Sequence, residues 1–117
     1  MYGEVFGQGL SERVAVYVPS TFGVADKADS ALVQNWIIAT HRFLAGQFGG
    51  ATSQLALGSW VADSGLLVTE DVTIVYAYAA RLTRADLGAI KTYAISLKQA
   101  FRQETVAIEI NGSLFFT

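Results

Sequence analysis

The spacing between hydrophobic positions alternates along the chain between two residues and about 3.6, and each change marks the border of a predicted element. Over residues 13–19 the spacing is two: Val14, Val16 and Val18 share one face, and Arg13, Ala15 and Tyr17 the other. This predicts a first strand. The sole proline, Pro19, ends it because its nitrogen has no hydrogen to donate to a sheet, and residues 20–29 form a polar connection. From Leu32 the pattern becomes helical, with Val33, Trp36, Ile37, Thr40, Phe43, Leu44 and Phe48 on a wide arc. Asp29 and Ser30 are suitable N-caps, and Gly46, Gly49 and Gly50 end the helix.

Residues 51–62 and 66–78 return to strand character on either side of Asp63-Ser64-Gly65, a tight-turn signal. The second of these strands has Val72, Ile74, Tyr76 and Tyr78 on one face and Thr73, Val75 and Ala77 on the other, so neither face is strongly polar. Such a strand belongs inside a sheet. Thr83 and Asp86 form a capping box, with Leu82 and Leu87 as a hydrophobic staple. A stripe through Leu87, Ile90, Ala94, Leu97 and Phe101 then predicts a second helix. Val106, Ile108 and Ile110 alternate as a fourth strand, and Asn111-Gly112 predicts a hairpin into a short last strand over residues 113–117.

The order strand, helix, strand, strand, helix, strand is that of an α+β, ferredoxin-like (βαββαβ) antiparallel sheet with both helices on one face, here with an extra C-terminal strand. Residues 1–12, with Gly3, Gly7 and Gly9, read as a flexible lead or short extra strand, and residues 13–117 as a single domain. Parity then assigns the faces. If Val14, Val16, Val18, Val72, Ile74, Tyr76, Val106, Ile108 and Ile110 meet the helices, the open face carries Ala15, Tyr17, Val75, Ala77, Ala107 and Glu109. We expect that face to be a subunit interface through Tyr17, Val75 and Ala77. Leu114, Phe115 and Phe116, three bulky residues beside the chain end, extend the expected interface or close the chain's own sheet edge.

Composition strengthens the case for assembly. With 52% hydrophobic residues, 15% charged residues and a mean hydropathy of +0.38, a chain of 117 residues has more apolar surface than one small core hides. The net charge of −2 and the scattered Lys and Arg argue against nucleic acid as a partner. No apolar run has the length of a membrane span, and the N-terminus has no export pattern. The lack of Cys excludes disulfides and suits the cytoplasm.

Candidate chemistry is sparse. His41 is the sole histidine and borders the apolar arc of the first helix, where a structural role is the simpler reading. Glu70 and Asp71, adjacent on a strand, point to opposite faces and cannot form one paired-carboxylate site. Glu70 opens an apolar strand, as a solvated end charge or as a buried carboxylate held by Gln103 or an arginine. Gln103 and Glu104 stand at the exit of the second helix. Ser20 and Thr21 occupy the loop after the first strand, and Trp60 offers a ring for stacking or for packing. The candidate ligand-binding set is therefore Ser20, Thr21, Trp60, Glu70 and Gln103, with no metal, no cofactor and no assigned catalytic residue. No phosphate-binding glycine fingerprint is present.

The segments QFGGAT, GSW, VTED and FRQETVAIEI together resemble a family of small, functionally uncharacterised bacterial and phage proteins, over residues 13–110. The resemblance singles out Gly58, Trp60, Gly65, Glu70 and Gln103, with Phe48 and Thr52 less closely matched. It implies the fold and no activity. The element order is also similar to the nitrogen-regulatory PII-like proteins, but the turn at residues 63–65 leaves no room for their signalling loop. The leading expectation is a non-enzymatic, homo-oligomeric binding or regulatory module with a small-molecule ligand at its subunit boundaries. The alternatives are a small dimeric ferredoxin-like enzyme using Glu70 or His41 as acid or base, and a structural assembly subunit.

Overall fold

The computed structural model describes residues 1–23 and 26–117. Its elements are α1 (Tyr2–Phe6), β1 (Glu12–Pro19), β2 (Thr21–Phe22), β3 (Asp26–Lys27), α2 (Ser30–Phe48), β4 (Thr52–Val61), β5 (Leu67–Ala79), α3 (Arg84–Ala100), β6 (Ala107–Ile110) and β7 (Ser113–Phe116). The main sheet is antiparallel, in the order β4-β5-β1-β6-β7. The fold is the expected ferredoxin-like one, lengthened at one edge by β7. Residues 1–12 contain the one-turn helix α1, with no buried residue, in place of a strand. The connection over residues 20–29 holds the small β2–β3 ribbon, and residues 24 and 25 of that connection lie outside the described residues.

The ends of the elements follow their local chemistry. Asp29 caps α2, whose last turn closes on Gly49 at φ 95°. At the start of α3 the Thr83 hydroxyl accepts from the Asp86 N–H at 3.1 Å, and the Asp86 carboxylate accepts from the Thr83 N–H at 2.9 Å. This completes the capping box, and the Thr83 backbone N–H holds the Asp86 carboxyl below its usual range. Asn111 and Gly112, at φ 51° and 86°, make the β6–β7 hairpin turn.

The core lies between the helices and one face of the sheet. Val14, Val16 and Val18 of the central strand are fully buried, with Leu44 of α2 and Ile90, Ala94 and Leu97 of α3 above them. Buried Thr40 donates to the Trp36 carbonyl at 2.7 Å, so the Tyr93 hydroxyl, 2.8 Å away, is the donor in the bond linking α2 to α3.

The face assignment of β5 is corrected. Val16 pairs with Val75 and Val14 with Ala77, which places both β5 residues under the helices at 0% and 2% exposure. They cannot line the open face; Val72, Ile74 and Tyr76 do. Both faces of β5 are apolar, so alternation alone could not orient it, and the helices approach over the smaller side chains. On the open face Ala15 is nonetheless fully buried. Its cross-strand neighbours are Tyr76 and Glu109, and the Arg13 guanidinium lies 4.1 Å from the Tyr76 ring centre, with Nε 3.2 Å from Glu109 in an ion pair without hydrogen-bond alignment. A hydrogen bond to the Tyr78 hydroxyl and the Glu109 charge raise the Arg13 pKa further.

The β4–β5 hairpin extends beyond the helices as an arm, contributing to a longest dimension of 52 Å. Leu55, Leu57, Val61 and Leu67 share the helix-side parity but stand uncovered, each at least 65% exposed. Among the described residues no helix is long and apolar enough to cross a membrane.

Candidate functional site

A cavity of about 650 Å³ opens on the sheet face away from the helices, where β1 ends and the arm begins. Strand alternation builds its floor. Gly58 and Trp60 of β4, Glu70 and Val72 of β5, and Tyr17 and Pro19 of β1 all carry the open-face parity. Gly58 is paired with Glu70, and a Cβ there would find its nearest neighbours at 3.8 Å. The fold tolerates a side chain at this position, so the glycine's effect is to leave the cavity floor open beside Glu70 and Val72.

The rim is the turn that follows α3. Phe101 is fully buried, with its ring centre 6.0 Å from Phe22 and 6.4 Å from Trp36, and its carbonyl accepts from the Gly23 N–H at 3.0 Å. Arg102 then adopts a left-handed backbone with φ 50°, and the Gln103 N–H returns to the Lys98 carbonyl at 3.0 Å. This helix ending is usually made with glycine. It turns Gln103 and Glu104 into the cavity wall.

Gln103 is held in one orientation. Its amide nitrogen donates to the carbonyls of Thr21 and Gly23, both at 2.7 Å, and lies 3.2 Å from the Thr21 hydroxyl oxygen. Thr21 in turn donates its hydroxyl to Glu70 Oε2 at 2.9 Å. A relay from Gln103 through Thr21 to Glu70 thus joins the α3 exit, the β2 ribbon and β5. Gln103 Oε1 and Glu70 Oε1 take no hydrogen bond among the described residues.

The expected ligand-binding residues therefore separate into two groups. Trp60, Glu70 and Gln103 line the cavity, and Thr21 supports Glu70 from behind. Ser20 does not line it; its hydroxyl donates to the Asp71 carbonyl at 2.6 Å and ties the loop to β5. His41 lies on the other side of the sheet, 2.8 Å from the Ser53 hydroxyl, and cannot work together with Glu70. Tyr17 and Phe116, expected at an interface, are cavity residues in the single chain, while Leu114 and Phe115 remain exposed along β7.

Arg102 was not singled out by sequence reasoning, and Glu104 stood out only as a helix-exit charge. The available signal was the helix end itself: Phe101-Arg102-Gln103 contains no glycine where a left-handed residue follows the last turn. Around the cavity, Glu70 and Glu104 supply negative charge and Arg102 positive charge, while Trp60, Tyr17, Val72, Val106 and Phe116 make the rest largely apolar. Among the described residues no three His, Asp or Glu side chains are grouped so as to hold a metal ion.

No protein-family model matches the chain, and no curated protein matches it in sequence. Its fold is similar to that of a phage SAM lyase in complex with S-methyl-5'-thioadenosine, at 22% identity and a TM-score of 0.66 over 94% of this chain and 91% of that one. It is also similar to a phage SAM lyase in the apo state, at 19% identity and a TM-score of 0.61 over 92% and 88% of the two chains. The phage origin of both agrees with the resemblance to small phage proteins. Their activity corrects two expectations: that the arrangement belongs to a group without a characterised activity, and that it is a non-enzymatic binding or regulatory module. The fold this chain shares is that of an enzyme, and one of its representatives carries a bound small molecule.

Proposed function

We propose that the protein is a lyase acting on S-adenosylmethionine, the substrate class of the proteins whose fold it shares, with the cavity beside Glu70 as its active site. The observation that carries this reading is the Gln103–Thr21–Glu70 relay, which fixes a carboxylate in a largely apolar cavity of about 650 Å³, a volume in the range of small-molecule sites. Release of S-methyl-5'-thioadenosine breaks the bond between the sulfonium sulfur and the amino-acid arm, with the bonding pair going to sulfur. A lyase adds no water, so the carbon left behind takes its electrons from its own fragment, by loss of a neighbouring proton or by attack of the fragment's own carboxylate.

The site chemistry suits such a step. The sulfonium loses its positive charge as the bond breaks, so apolar walls such as Val72 and Phe116 disfavour the charged ground state more than the charge-dispersed transition state. Glu70, with one oxygen held by Thr21, offers the other to the substrate ammonium or to a departing proton. The enzyme reading with Glu70 as acid or base thus replaces the binding-module reading, and His41 has no part in it. A cytoplasmic location goes with this reading and with the absence of Cys. Titration calorimetry tests the site: the protein is expected to bind S-methyl-5'-thioadenosine, and Gly58→Val, which fills the cavity floor beside Glu70, to weaken that binding at least tenfold while the fold persists. Equal affinity in the two proteins would place the ligand elsewhere.

The same reading makes the protein a homo-oligomer. The arm leaves Leu55, Leu57, Val61 and Leu67 bare, and the cavity is open on the side where Trp60 and Phe116 stand exposed, at 40% and 65%. A second copy packed on the arm would cover the four arm residues. Light scattering is expected to give a mass at least twice 12.6 kDa for the wild type, and the monomer mass for the double variant Leu55→Asp, Leu57→Asp.

A further inference from the structure

We propose that Arg102 is the residue that selects for the substrate's amino-acid end, its guanidinium binding the carboxylate there; the inference rests on the S-adenosylmethionine reading of the cavity. Among the described residues that line the cavity, Arg102 is the one with a positively charged side chain. Among the described residues it forms no ion pair, although Glu70 and Glu104 line the same cavity. It is held instead over the face of Phe22, with the guanidinium carbon 5.2 Å from the ring centre. A stacked guanidinium keeps its planar N–H fork free for a carboxylate.

Charge complementarity specifies what that fork would meet. S-adenosylmethionine carries two positive groups, the sulfonium and the ammonium, and one negative group, the carboxylate. The cavity carries the inverse set, Glu70 and Glu104 against Arg102. Binding both amino-acid charges at once fixes the arm on which the bond breaks, while the thioadenosine part meets the apolar walls. The backbone supports a role beyond folding: Arg102 holds φ 50°, a conformation in which glycine is at ease and an L side chain is strained. The arginine therefore stands where the backbone alone favours glycine.

The same strain provides a clean variant. Arg102→Gly removes the guanidinium and keeps the turn, including the Gln103 bonds to the Thr21 and Gly23 carbonyls. Its melting temperature is expected to equal or exceed that of the wild type. In calorimetric titrations, Arg102→Gly should bind S-adenosylmethionine at least tenfold more weakly, with Arg102→Lys intermediate. Affinities for decarboxylated S-adenosylmethionine and for S-methyl-5'-thioadenosine, both lacking the carboxylate, should stay within twofold of the wild type. Unchanged affinity of Arg102→Gly for S-adenosylmethionine, or an equal loss for the carboxylated and decarboxylated forms, would overturn the assignment and leave the lyase reading standing. A wild type that binds none of the three ligands would overturn both.

Discussion

Glu70→Gln is expected to lower the rate of S-adenosylmethionine cleavage by about 10²-fold or more while leaving the protein folded. The side chain is partly exposed, and its one hydrogen bond among the described residues is accepted from Thr21, a bond that the glutamine carbonyl can also accept. Stability therefore changes little. What is lost is the charge: glutamine neither takes up a proton nor neutralises a cation in the apolar cavity. Measuring turnover together with the unfolding midpoint separates the two roles, because a structural Glu70 would move the midpoint and a chemical one moves the rate. A variant with unchanged rate would remove Glu70 from the chemistry.

Phe101→Ala is expected to destabilise the fold by about 3–5 kcal/mol, the range for deleting a buried aromatic ring. Against a total stability of about 5–15 kcal/mol for a domain, this is a large fraction. Phe101 has no exposed surface and meets Phe22 of the β2 ribbon and Trp36 of α2, so the vacated volume lies directly beneath the site's rim. The carbonyl of the same residue holds Gly23, and the next two residues are Arg102 and Gln103. Denaturant unfolding should show the loss, and ligand affinity should fall even under conditions where the variant remains folded. A variant with near wild-type stability and weak binding would mean that the ring acts on the ligand directly.

The ferredoxin-like order was legible because it depends on local signals: the alternation through Val14 and Val18, the Thr83–Asp86 box, and the Asn111-Gly112 turn all act over a few residues. The orientation of β5 was not legible, since Val72 to Ala77 is apolar on both faces and only the register with β1 decides which side the helices cover. Of the site, Glu70 and Trp60 stand out as polar or aromatic residues in an apolar hairpin, and Gln103 was a named partner for Glu70. The link between them through Thr21 spans 82 residues of sequence at its longer step, which no local pattern encodes. Arg102 and Glu104 were hidden for a related reason: they resemble ordinary helix-end charges until the turn is seen to lie against the open face of the sheet.

The arm illustrates how composition can be right about surface and silent about place. A mean hydropathy of +0.38 implied uncovered apolar area, and the structure locates part of it at Leu55, Leu57, Val61 and Leu67. These residues carry the helix-side parity, but lie beyond the reach of the helices. Strand length sets this: β5 has 13 residues, and its buried positions begin at Val75.

The most direct test of the central claim is to incubate the purified protein with S-adenosylmethionine in ¹⁸O-water and identify the products by mass spectrometry. S-methyl-5'-thioadenosine is expected in amounts exceeding the enzyme, with a first-formed four-carbon product that contains no solvent oxygen. Failure to form S-methyl-5'-thioadenosine, or solvent oxygen in the first-formed product, would contradict the claim.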